Sequence, residues 1–436
     1  MKLVMRAPFL KSILLVALLV GFCLGAKAQA DVDSPYSLFG VGQVNNTPMN
    51  VRLKGMGVAN AMYGIGIINP SNPASYAKID SLAFLFDAGF YFKTSSFSTS
   101  TLTEKANNAS FDHVTMCFGA TSWWKMAIGV QPFSTSGYNM LVDDEEPGIG
   151  KTTIRFKGSG GLNRAFWGNA FKIGKHFALG ANAYYVFGNS KAEASLYFPD
   201  SAYYIGSRHS VDVMVRSFMF DYGMLFNTAV GDDMQLGLGL TYTQKINLRG
   251  EQTLFIRSFE EDIDTELEYL IDTVAYDINE MKVIMPHGFG VGLSLKKGND
   301  WAVGADFNWM QWSRFARQGK IEGLQNSWKA SVGAELTPKH TSISGYFSRV
   351  TYRFGGFYEH GFINLPGSDG LDHSINKMGI TAGMTLPLPR TLSTFNLALE
   401  VGQYGTREGG LIQERYGKLS IGISAFEHWF MKRKYK

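Results

Sequence analysis

The sequence predicts an all-β fold, a 14-stranded antiparallel transmembrane β-barrel with an N-terminal plug segment in its lumen. Composition gives the first reason, because glycine supplies 49 of the 436 residues, aromatic side chains 14% and charged side chains 18%. Soluble domains carry about 25% charged residues. Mean hydropathy is close to zero, as expected when each strand has one face in lipid and one in a polar lumen. The same value argues against a polytopic helical membrane protein.

Apolar and polar positions alternate along many segments, which is the second reason. In residues 301–309, the odd positions carry Trp, Val, Ala, Phe and Trp, whereas the even positions carry Ala, Gly, Asp and Asn. Residues 236–243, 394–401 and 418–424 repeat this pattern. A period of two predicts strands with one apolar face. A soluble β-sandwich would show the same alternation with its apolar face inward, but the number of strands and an export signal favour the barrel.

Fourteen strands are expected between residues 81 and 430. Their expected first residues are Ser81, Ala109, Trp123, Thr152, His176, Arg208, Met234, Met281, Trp301, Asn326, Thr341, Ile375, Ser393 and Tyr416. Six tight turns alternate with seven longer connections near residues 97–109, 140–151, 190–208, 254–280, 312–325, 359–374 and 404–415. Short periplasmic turns and long extracellular loops are typical of outer-membrane barrels.

The first 28 residues are expected to be a cleaved signal peptide, with residue 30 as the alternative cleavage site. Lys2, Arg6 and Lys11 precede the apolar run 13–26, and small residues at 26, 28 and 30 fit the cleavage motif. Phe22 argues against lipidation of Cys23, because a small residue is expected before a modified cysteine. Cleavage removes four of the 41 basic residues and no acidic one, so the net charge of +4 vanishes and gives no argument for nucleic-acid binding.

Residues 29–80 precede the first strand and are expected to form the plug. A 14-stranded barrel is too wide for its own wall side chains to fill, so the lumen needs an insert or must conduct. The segment is rich in glycine, asparagine and proline, which predicts compact turns, with residues 58–63 as the best candidate for a short helix. Its paired glycines lack the strand, turn and helix context of a nucleotide-binding loop.

Three short segments carry a family resemblance: residues 34–40 (SPYSLFG), 69–76 (NPSNPASY) and 427–434 (EHWFMKRK). Through them the chain resembles the FadL-type long-chain fatty acid transporter family, in its Bacteroidota branch. The resemblance implies a 14-stranded barrel, an N-terminal plug and a path for hydrophobic ligands, often with a lateral opening in the wall. The same branch includes barrels of secretion or membrane-protein assembly complexes, so the resemblance does not by itself establish transport.

Gating is expected in one short part of the plug. The candidate residues are Asn69, Pro70, Asn72, Pro73, Ala74, Ile65 and Ile67. Proline fixes φ and restricts the residue before it to extended geometry, and asparagine side chains bond the backbone of a turn. The segment would thus be rigid without helix or sheet, and its isoleucines would need cover from the wall or from a ligand. The alternative is a rigid entry into the first strand.

No catalytic residue, metal ligand or cofactor site is expected. The eight histidines lack metal-ligand spacing, and Cys117 is the single cysteine of the mature chain, so it has no disulfide partner. His113 lies near Ser110 and Asp112, but strict alternation would split these three between two faces of a strand. A hydrolase of the Ser-His-Asp type is therefore not indicated. His287 is expected at the rim of the barrel.

Residues 260–280 are expected to form a solvated outer loop. They contain nine acidic residues and no Lys or Arg, so binding of divalent cations that bridge lipopolysaccharide, or of an external partner, is the alternative. Their spacing matches no calcium loop. At the other end of the chain, Trp429 and Phe430 are expected to anchor the barrel at the membrane interface, followed by a basic periplasmic tail at 431–436.

Two functions fit this barrel. The first is passive uptake of hydrophobic small molecules such as fatty acids across the outer membrane, with affinity from burial of an acyl chain at about 0.8 kcal/mol per methylene. The second is a non-transporting accessory subunit of an outer-membrane protein secretion or assembly complex. The expected location is the Gram-negative outer membrane. Expected partners are outer-membrane lipid, lipopolysaccharide, a hydrophobic ligand and other complex subunits, with no nucleic acid and no enzyme activity.

Overall fold

The structure, a computed structural model, describes residues 34–64, 66–81, 83–199, 203–262, 267–341, 345–389 and 391–428, and the side chains among these except for residues 261–268. The expected signal peptide at 1–28, Ile65, the Trp429–Phe430 anchor and the tail at 431–436 lie outside the described residues. Within the described ranges, no helix is both long enough and apolar enough to cross a membrane.

Helical structure is sparse. The α-helix is α1 (Val51–Met56). Short 3-10 turns occur at Pro35–Leu38, Pro73–Lys78, Trp312–Arg314, Phe347–Arg349 and Glu408–Gly410. The helix expected at residues 58–63 is therefore wrong. The chain instead uses Asn50 as the N-cap and Gly57 as the left-handed C-terminal residue, with φ of 76°, which are the usual boundary residues of a helix.

Strands make up most of the described chain. They are β1 (Gln43–Val44), β2 (Ala83–Ser98), β3 (Thr103–Gly119), β4 (Trp124–Thr135), β5 (Tyr138–Glu146), β6 (Gly150–Ile173), β7 (Phe177–Tyr197), β8 (Gly206–Val230), β9 (Met234–Thr243), β10 (Ile246–Asp262), β11 (Leu267–Met285), β12 (Gly288–Lys297), β13 (Trp301–Met310), β14 (Ala316–Arg317), β15 (Lys320–Ile321), β16 (Ser327–Leu336), β17 (Thr351–His360), β18 (Asn364–Pro366), β19 (Asp372–Ser374), β20 (Lys377–Pro387), β21 (Thr394–Tyr404) and β22 (Gln413–His428).

Fourteen antiparallel wall strands close into one barrel, which confirms the predicted fold class. Three of the fourteen are built from two consecutive segments each, namely β4 with β5, β9 with β10, and β11 with β12. The ring closes where residues 83–98 of β2 pair with residues 413–428 of β22. Closure leaves no free edge along these two strands.

Several expected connections are strands instead. Residues 99–102 form a tight turn between β2 and β3, where a long connection at 97–109 was expected. The expected connection at 254–280, with its acidic loop at 260–280, lies almost entirely in the β10–β11 hairpin. The expected tight turn at 337–339 is longer, since β17 begins only at residue 351. The errors at 97–109 and 254–280 share a cause, because strands outside the membrane lack the apolar lipid-facing side by which a membrane strand is identified.

Inside the membrane-spanning part, apolar side chains face outward. In β12 the buried residues are Gly288, Gly290, Gly292 and Ser294, whereas the side chains of Val291 and Leu293 are about half exposed. The outer side of the barrel is therefore apolar and the inner side is small or polar, as lipid on one side and a filled lumen on the other require.

Two rings of aromatic residues mark the membrane boundaries. The upper ring includes Tyr222, Tyr242, Phe289, Trp309, Trp328 and Tyr358, with neighbouring ring centroids 5.0–6.3 Å apart. The lower ring includes Trp123, Trp124, Phe171, Phe177 and Phe226. His287 lies beside Phe289, with ring centroids 5.5 Å apart, so it occupies the expected rim position. Aromatic girdles of this kind sit at the two membrane–water interfaces.

Six strands continue far beyond the upper ring on the side opposite the short turns. These parts, which we call the extramembrane wall, are residues 138–146 of β5, 150–160 of β6, 188–197 of β7, 206–216 of β8, 246–262 of β10 and 267–282 of β11. At about 3.3 Å per residue, a strand of 24 residues such as β6 is roughly twice as long as a tilted strand needs to cross a bilayer.

A charge on the lipid-facing side should test the position of the membrane. Leu293→Arg places a cation in the apolar band and is expected to lower the free energy of folding into lipid vesicles by about 2–4 kcal/mol. The matched control is Thr253→Arg, on the outer side of the extramembrane wall, with an expected effect near zero. Urea titrations of both variants in vesicles provide the measurement, and equal effects would contradict the assigned band.

Candidate functional site

The N-terminal segment, residues 34–80, lies within the ring of wall strands. Helix α1 packs against β16, β17, β20, β21 and β22, whereas the 3-10 turn at Pro73–Lys78 packs against β4, β6, β7 and β8 on the opposite side. Val51, Leu53, Met56 and Tyr76 are each at most 2% exposed. The segment therefore spans the lumen from wall to wall.

Helix α1 is short and is fixed by its ends. The Asn50 side chain accepts a hydrogen bond from the backbone N–H of Arg52 at 2.9 Å, which satisfies a donor that the first turn leaves free. Gly55 faces Gly383 of β20 so closely that a Cβ on either residue would collide with the other backbone. A helix of six residues has little stability of its own, so its position depends on the wall.

A buried cluster of charges, Lys54, Asp87, Asp112 and His113, joins α1 to β2 and β3. His113 is fully buried and bonds Asp87 through Nε2 at 2.7 Å and Asp112 through Nδ1 at 2.8 Å. Lys54 Nζ donates to Asp112 Oδ1, and Asn50 Nδ2 donates to Asp87 Oδ2 at 2.8 Å. Because both ring nitrogens face carboxylates, the imidazole acts as a double donor and the cluster of two cations and two anions is neutral.

A β-bulge places Asp112 and His113 on the same side of β3. The pairing of β2 with β3 shifts register between Gly89 and Phe90, so Asp112 is the extra residue and both side chains point inward. The expected split of Asp112 and His113 between two faces is therefore wrong, because a bulge breaks the alternation. No serine or cysteine bonds His113 among the described residues, and the nearby Ser424 hydroxyl donates to Asp87 at 2.5 Å.

The two asparagines of the expected gate organise the N-terminal segment itself. Asn69 Nδ2 donates to the carbonyls of Ala59 at 2.7 Å and Met62 at 3.1 Å. Asn72 Nδ2 donates to the carbonyl of Asn60 at 2.6 Å, and Asn72 Oδ1 caps the 3-10 turn by accepting from Ala74 N–H at 3.1 Å. Both asparagines are fully buried, so they tie together backbone groups that water cannot reach.

The prolines of the same stretch lie against β7 and β8. Asn182 of β7 donates to the Pro70 carbonyl at 2.9 Å and accepts from the Tyr76 hydroxyl at 3.1 Å. Burial raises the pKa of Tyr76 well above its ordinary value, so the hydroxyl remains a donor. Pro73 begins the 3-10 turn at Pro73–Lys78. The expectation of a stretch without any helix is therefore wrong, whereas its expected rigidity fits the bonds observed. Ile67 is 4% exposed.

Asp306 of β13 is a further anchor, which sequence reasoning missed. Its Oδ2 accepts from the backbone N–H groups of Ala59 at 2.5 Å and Asn60 at 2.9 Å. Its place on the polar face of residues 301–309 was the sequence feature that could have identified it as facing the lumen. Gly239 of β9 supports the same region, because a Cβ there would overlap the carbonyl oxygen of Asn60.

The outer end of the lumen is closed by aromatic packing. The Trp312 and Phe362 rings stack with centroids 4.3 Å apart, and Trp312 is fully buried. Tyr36 of the N-terminal segment packs edge-on against Tyr404 at 5.0 Å. Arg317 Nη2 donates to the backbone carbonyl of residue 40. The connections above the barrel therefore cover the first residues of the N-terminal segment.

The wall has a gap between β3 and β4. Residues 114–119 of β3 pair with residues 125–130 of β4, but above that level the two strands have no pairing within the described ranges. β1 fills part of this gap from inside, since Val44 pairs with Ser134 of β4 and Asn45 N–H donates to the Phe133 carbonyl at 2.9 Å. The gap is therefore occupied by the N-terminal segment.

A cavity of about 100 Å³ lies behind this gap and is strongly charged. Its charged lining consists of Lys93, Lys377, Lys418, Glu359, Glu400 and Glu414. Lys93 bonds Glu414 at 2.8 Å, and Glu400 accepts from the Tyr416 hydroxyl at 2.6 Å. A second cavity of about 200 Å³ is lined by Asp306, Arg164 and Asp221 together with Trp309 and Met285. Both cavities therefore combine charge with apolar surface.

Comparison with known families and structures gives one family and one fold. A family model described as BamG matches residues 9–436. No match was found among curated proteins.

Solved structures share the architecture at low identity. A crystal structure of the Pseudomonas putida toluene transporter TodX has 16% identity and a TM-score of 0.56, covering 90% of this chain and 100% of that one. The CymD monoaromatic hydrocarbon channel has 13% identity and a TM-score of 0.54, with the same coverage. A Pseudomonas aeruginosa FadL homologue has 13% identity and a TM-score of 0.53, covering 89% and 100%. These similarities establish the fold alone.

Removal of one cation should expose the role of the buried charge cluster. Lys54→Met leaves Asp112 without its partner from α1, and loss of one member of a buried pair costs about 3–5 kcal/mol. The free energy of unfolding, from urea titration in lipid vesicles, is expected to fall by that amount.

The control replaces both partners. Lys54→Met combined with Asp112→Leu removes the buried pair without leaving a lone carboxylate, and is expected to recover most of the loss. A single Lys54→Met variant as stable as the wild type would show that the cluster does not hold α1 in place.

Proposed function

The chain belongs to the BamG family, and from this premise and its filled lumen we propose that it is a non-transporting accessory subunit of an outer-membrane protein complex. One observation carries the proposal: the N-terminal segment crosses the lumen and is bonded to the wall on both sides through Lys54, Asn72 and Asp306. A barrel filled in this way serves as a membrane anchor and scaffold. In this role the barrel transports nothing and holds partner proteins.

The charged cavities add a second line of support. An apolar ligand in the cavity behind the wall gap would exclude water from three lysines and three glutamates. Loss of solvation costs several kcal/mol for each ion that is not fully compensated, whereas each buried methylene gains about 0.8 kcal/mol. A small cavity gives room for few methylenes, so the lining disfavours an apolar ligand.

The remaining parts of the proposal follow from the sequence. The N-terminal segment is a permanent plug, residues 1–28 are a cleaved signal peptide, and the barrel lies in the outer membrane of a Gram-negative cell of the Bacteroidota. Its partners are lipid, lipopolysaccharide and other subunits of the complex. The β-barrel fold shared with TodX and the FadL homologue supports this location.

Purification in mild detergent from native membranes tests the proposal directly. Mass spectrometry is expected to find partner proteins in constant stoichiometry, and organic extraction of the same sample is expected to find no hydrophobic small molecule above the level in the surrounding membrane. The matched control is an unrelated barrel from the same membranes. A barrel that purifies alone, with an enriched fatty acid or aromatic hydrocarbon, would refute the accessory role.

Passive uptake of hydrophobic small molecules is the second candidate, favoured by the gap between β3 and β4. Molecules in the outer leaflet would enter through this gap once β1 leaves it. Two proteins of similar fold are a toluene transporter and a monoaromatic hydrocarbon channel, which supports an apolar ligand of that class. Within this candidate function, uptake of fatty acids is the more specific proposal.

Under this second candidate, the gate would be the stretch around Asn69, Pro70, Asn72, Pro73 and Ala74, with Ile65 and Ile67 beside it. The bonds from Asn72 to Asn60 and to Met224 of β8, at 2.6 and 3.1 Å, would break and re-form as the segment moves. The dense bonding supports a plug more readily than a mobile gate.

A disulfide across the gap distinguishes the candidates. Val44 and Ser134 are directly opposite in the β1–β4 pairing, at a spacing that suits a disulfide, and native Cys117 is buried. If the gap is the entry route, Val44→Cys with Ser134→Cys should abolish toluene uptake into proteoliposomes until reductant is added, with each single variant as control. Uptake by the wild type no faster than by protein-free vesicles would exclude this candidate.

A further inference from the structure

The extramembrane wall reverses the polarity of the barrel below it. In the membrane-spanning part, the outer side of each strand is apolar and the inner side is small or polar. Above the upper aromatic ring the inner side becomes mostly apolar. Strands β6, β7 and β8 cross this boundary with no register shift between them. Along these three strands the change therefore lies in the sequence and not in the backbone.

The two sides of the wall differ in composition. The inner side is mostly apolar, with the polar residues His209, Gln252, Asp277 and Asn279 among Met140, Val142, Ile154, Phe156, Ala192, Ala194, Leu196, Val211, Val213, Leu254, Ile256 and Ala275. The outer side carries more charge, with Leu141, Phe255, Tyr276 and Ile278 among Arg155, Lys157, Lys191, Glu193, Arg208, Asp212, Glu251 and Arg257. Charged residues on the outer side fit water, which leaves the inner apolar side to be explained.

Other parts of the protein cover the inner side of the wall at its base but not higher up. At the base, Val215, Leu248 and Met281 are at most 2% exposed, beneath the connections that close the barrel. Higher on the same side, Val211 and Leu254 are no longer buried, and Val142 is 51% exposed. A sheet needs a second layer against its apolar face, and within the described ranges no named helix or strand supplies one here.

Acidic residues border this face on both flanks. Asp143, Asp144, Glu145 and Glu146 lie at the end of β5 and are exposed, and Lys151 of β6 pairs with Asp143 at 3.4 Å. On the other flank, Glu260 of β10 and Asp272, Asp277 and Glu280 of β11 are exposed. A second copy of this chain would bring like charges together at both flanks, which costs free energy. The charges instead fit a partner with basic residues around an apolar centre.

The size of the face suits a protein partner. Six strands about 4.8 Å apart, each contributing about eight residues, give roughly 700 Å², close to the roughly 800 Å² that each partner buries in an ordinary protein–protein interface. An apolar centre with a charged rim is also the usual arrangement of such interfaces.

We propose that the inner side of the extramembrane wall is the docking surface for another protein, one that presents an apolar face bordered by lysine and arginine. This deepens the accessory role proposed above and rests on it. The partner supplies the second layer that the sheet lacks, and the acidic flanks orient it. The surface lies outside the membrane, so the partner is an extracellular or surface-exposed domain.

Site-specific photo-crosslinking in native cells tests the surface. A benzoylphenylalanine residue at Val211 or Leu254 faces inward, and the matched controls at Asp212 and Thr253 are their outward-facing neighbours. The inward positions are expected to give one discrete protein adduct, and the outward positions at least tenfold less of it. Heat-modifiable gel mobility confirms that every variant is folded.

Charge reversal on one flank tests whether the acidic residues there contribute to docking. Glu145→Lys with Glu146→Lys is expected to reduce the Val211 adduct at least fivefold, whereas Arg155→Glu on the outer side leaves it unchanged. An adduct with lipopolysaccharide or with a second copy of this chain, equal adducts from both sides, or no adduct at all would overturn the proposal. If partner subunits still copurify in such a case, the accessory role stands and only this docking surface is wrong.

Discussion

The width of a 14-stranded barrel forces its lumen to be filled, and the buried cluster of Lys54, Asp87, Asp112 and His113 shows how this chain fills it. Each ion alone would be costly to bury, but two cations and two anions within hydrogen-bond distance compensate each other. The cluster can form only when α1 lies where the side chains of Asn50 and Lys54 reach Asp87 of β2 and Asp112 of β3. The position of the N-terminal segment and the pairing of the buried charges of the wall therefore depend on each other.

The wall is shaped to receive this segment. Glycines of β9, β16 and β20 stand where the backbone of the N-terminal segment approaches most closely, and a Cβ at Gly239, Gly333 or Gly383 would collide with it. Asp306 offers its carboxylate to two backbone N–H groups that no helix or sheet satisfies. Small residues and polar acceptors on the inner side thus replace the apolar core of a soluble domain.

Sequence patterns predicted those elements that lipid constrains. Met234 and Trp301 are the first residues of β9 and β13, as expected, because their strands alternate strictly between lipid and lumen. The β10–β11 hairpin was mistaken for a loop because water replaces lipid there, so its strands lack the apolar outer side of a membrane strand. Asp112 and His113 were assigned to opposite faces because nothing in one sequence marks a bulge. Asn50 and Gly57 could have located α1, yet the apolar residues at 58–63 suggested a different helix. The stretch at residues 69–74 was singled out by its prolines, but its partners Asn182 and Met224 are distant in sequence and could not be identified from it.

The central question is whether the N-terminal segment closes the barrel, and single-channel recording in planar bilayers answers it most directly. The intact protein is expected to show no steady conductance. A variant that lacks residues 34–76, folded as judged by heat-modifiable mobility, is expected to open an aqueous pore of a width set by fourteen strands. Equal conductance of the two proteins would contradict the account, because the segment would then not be what fills the lumen.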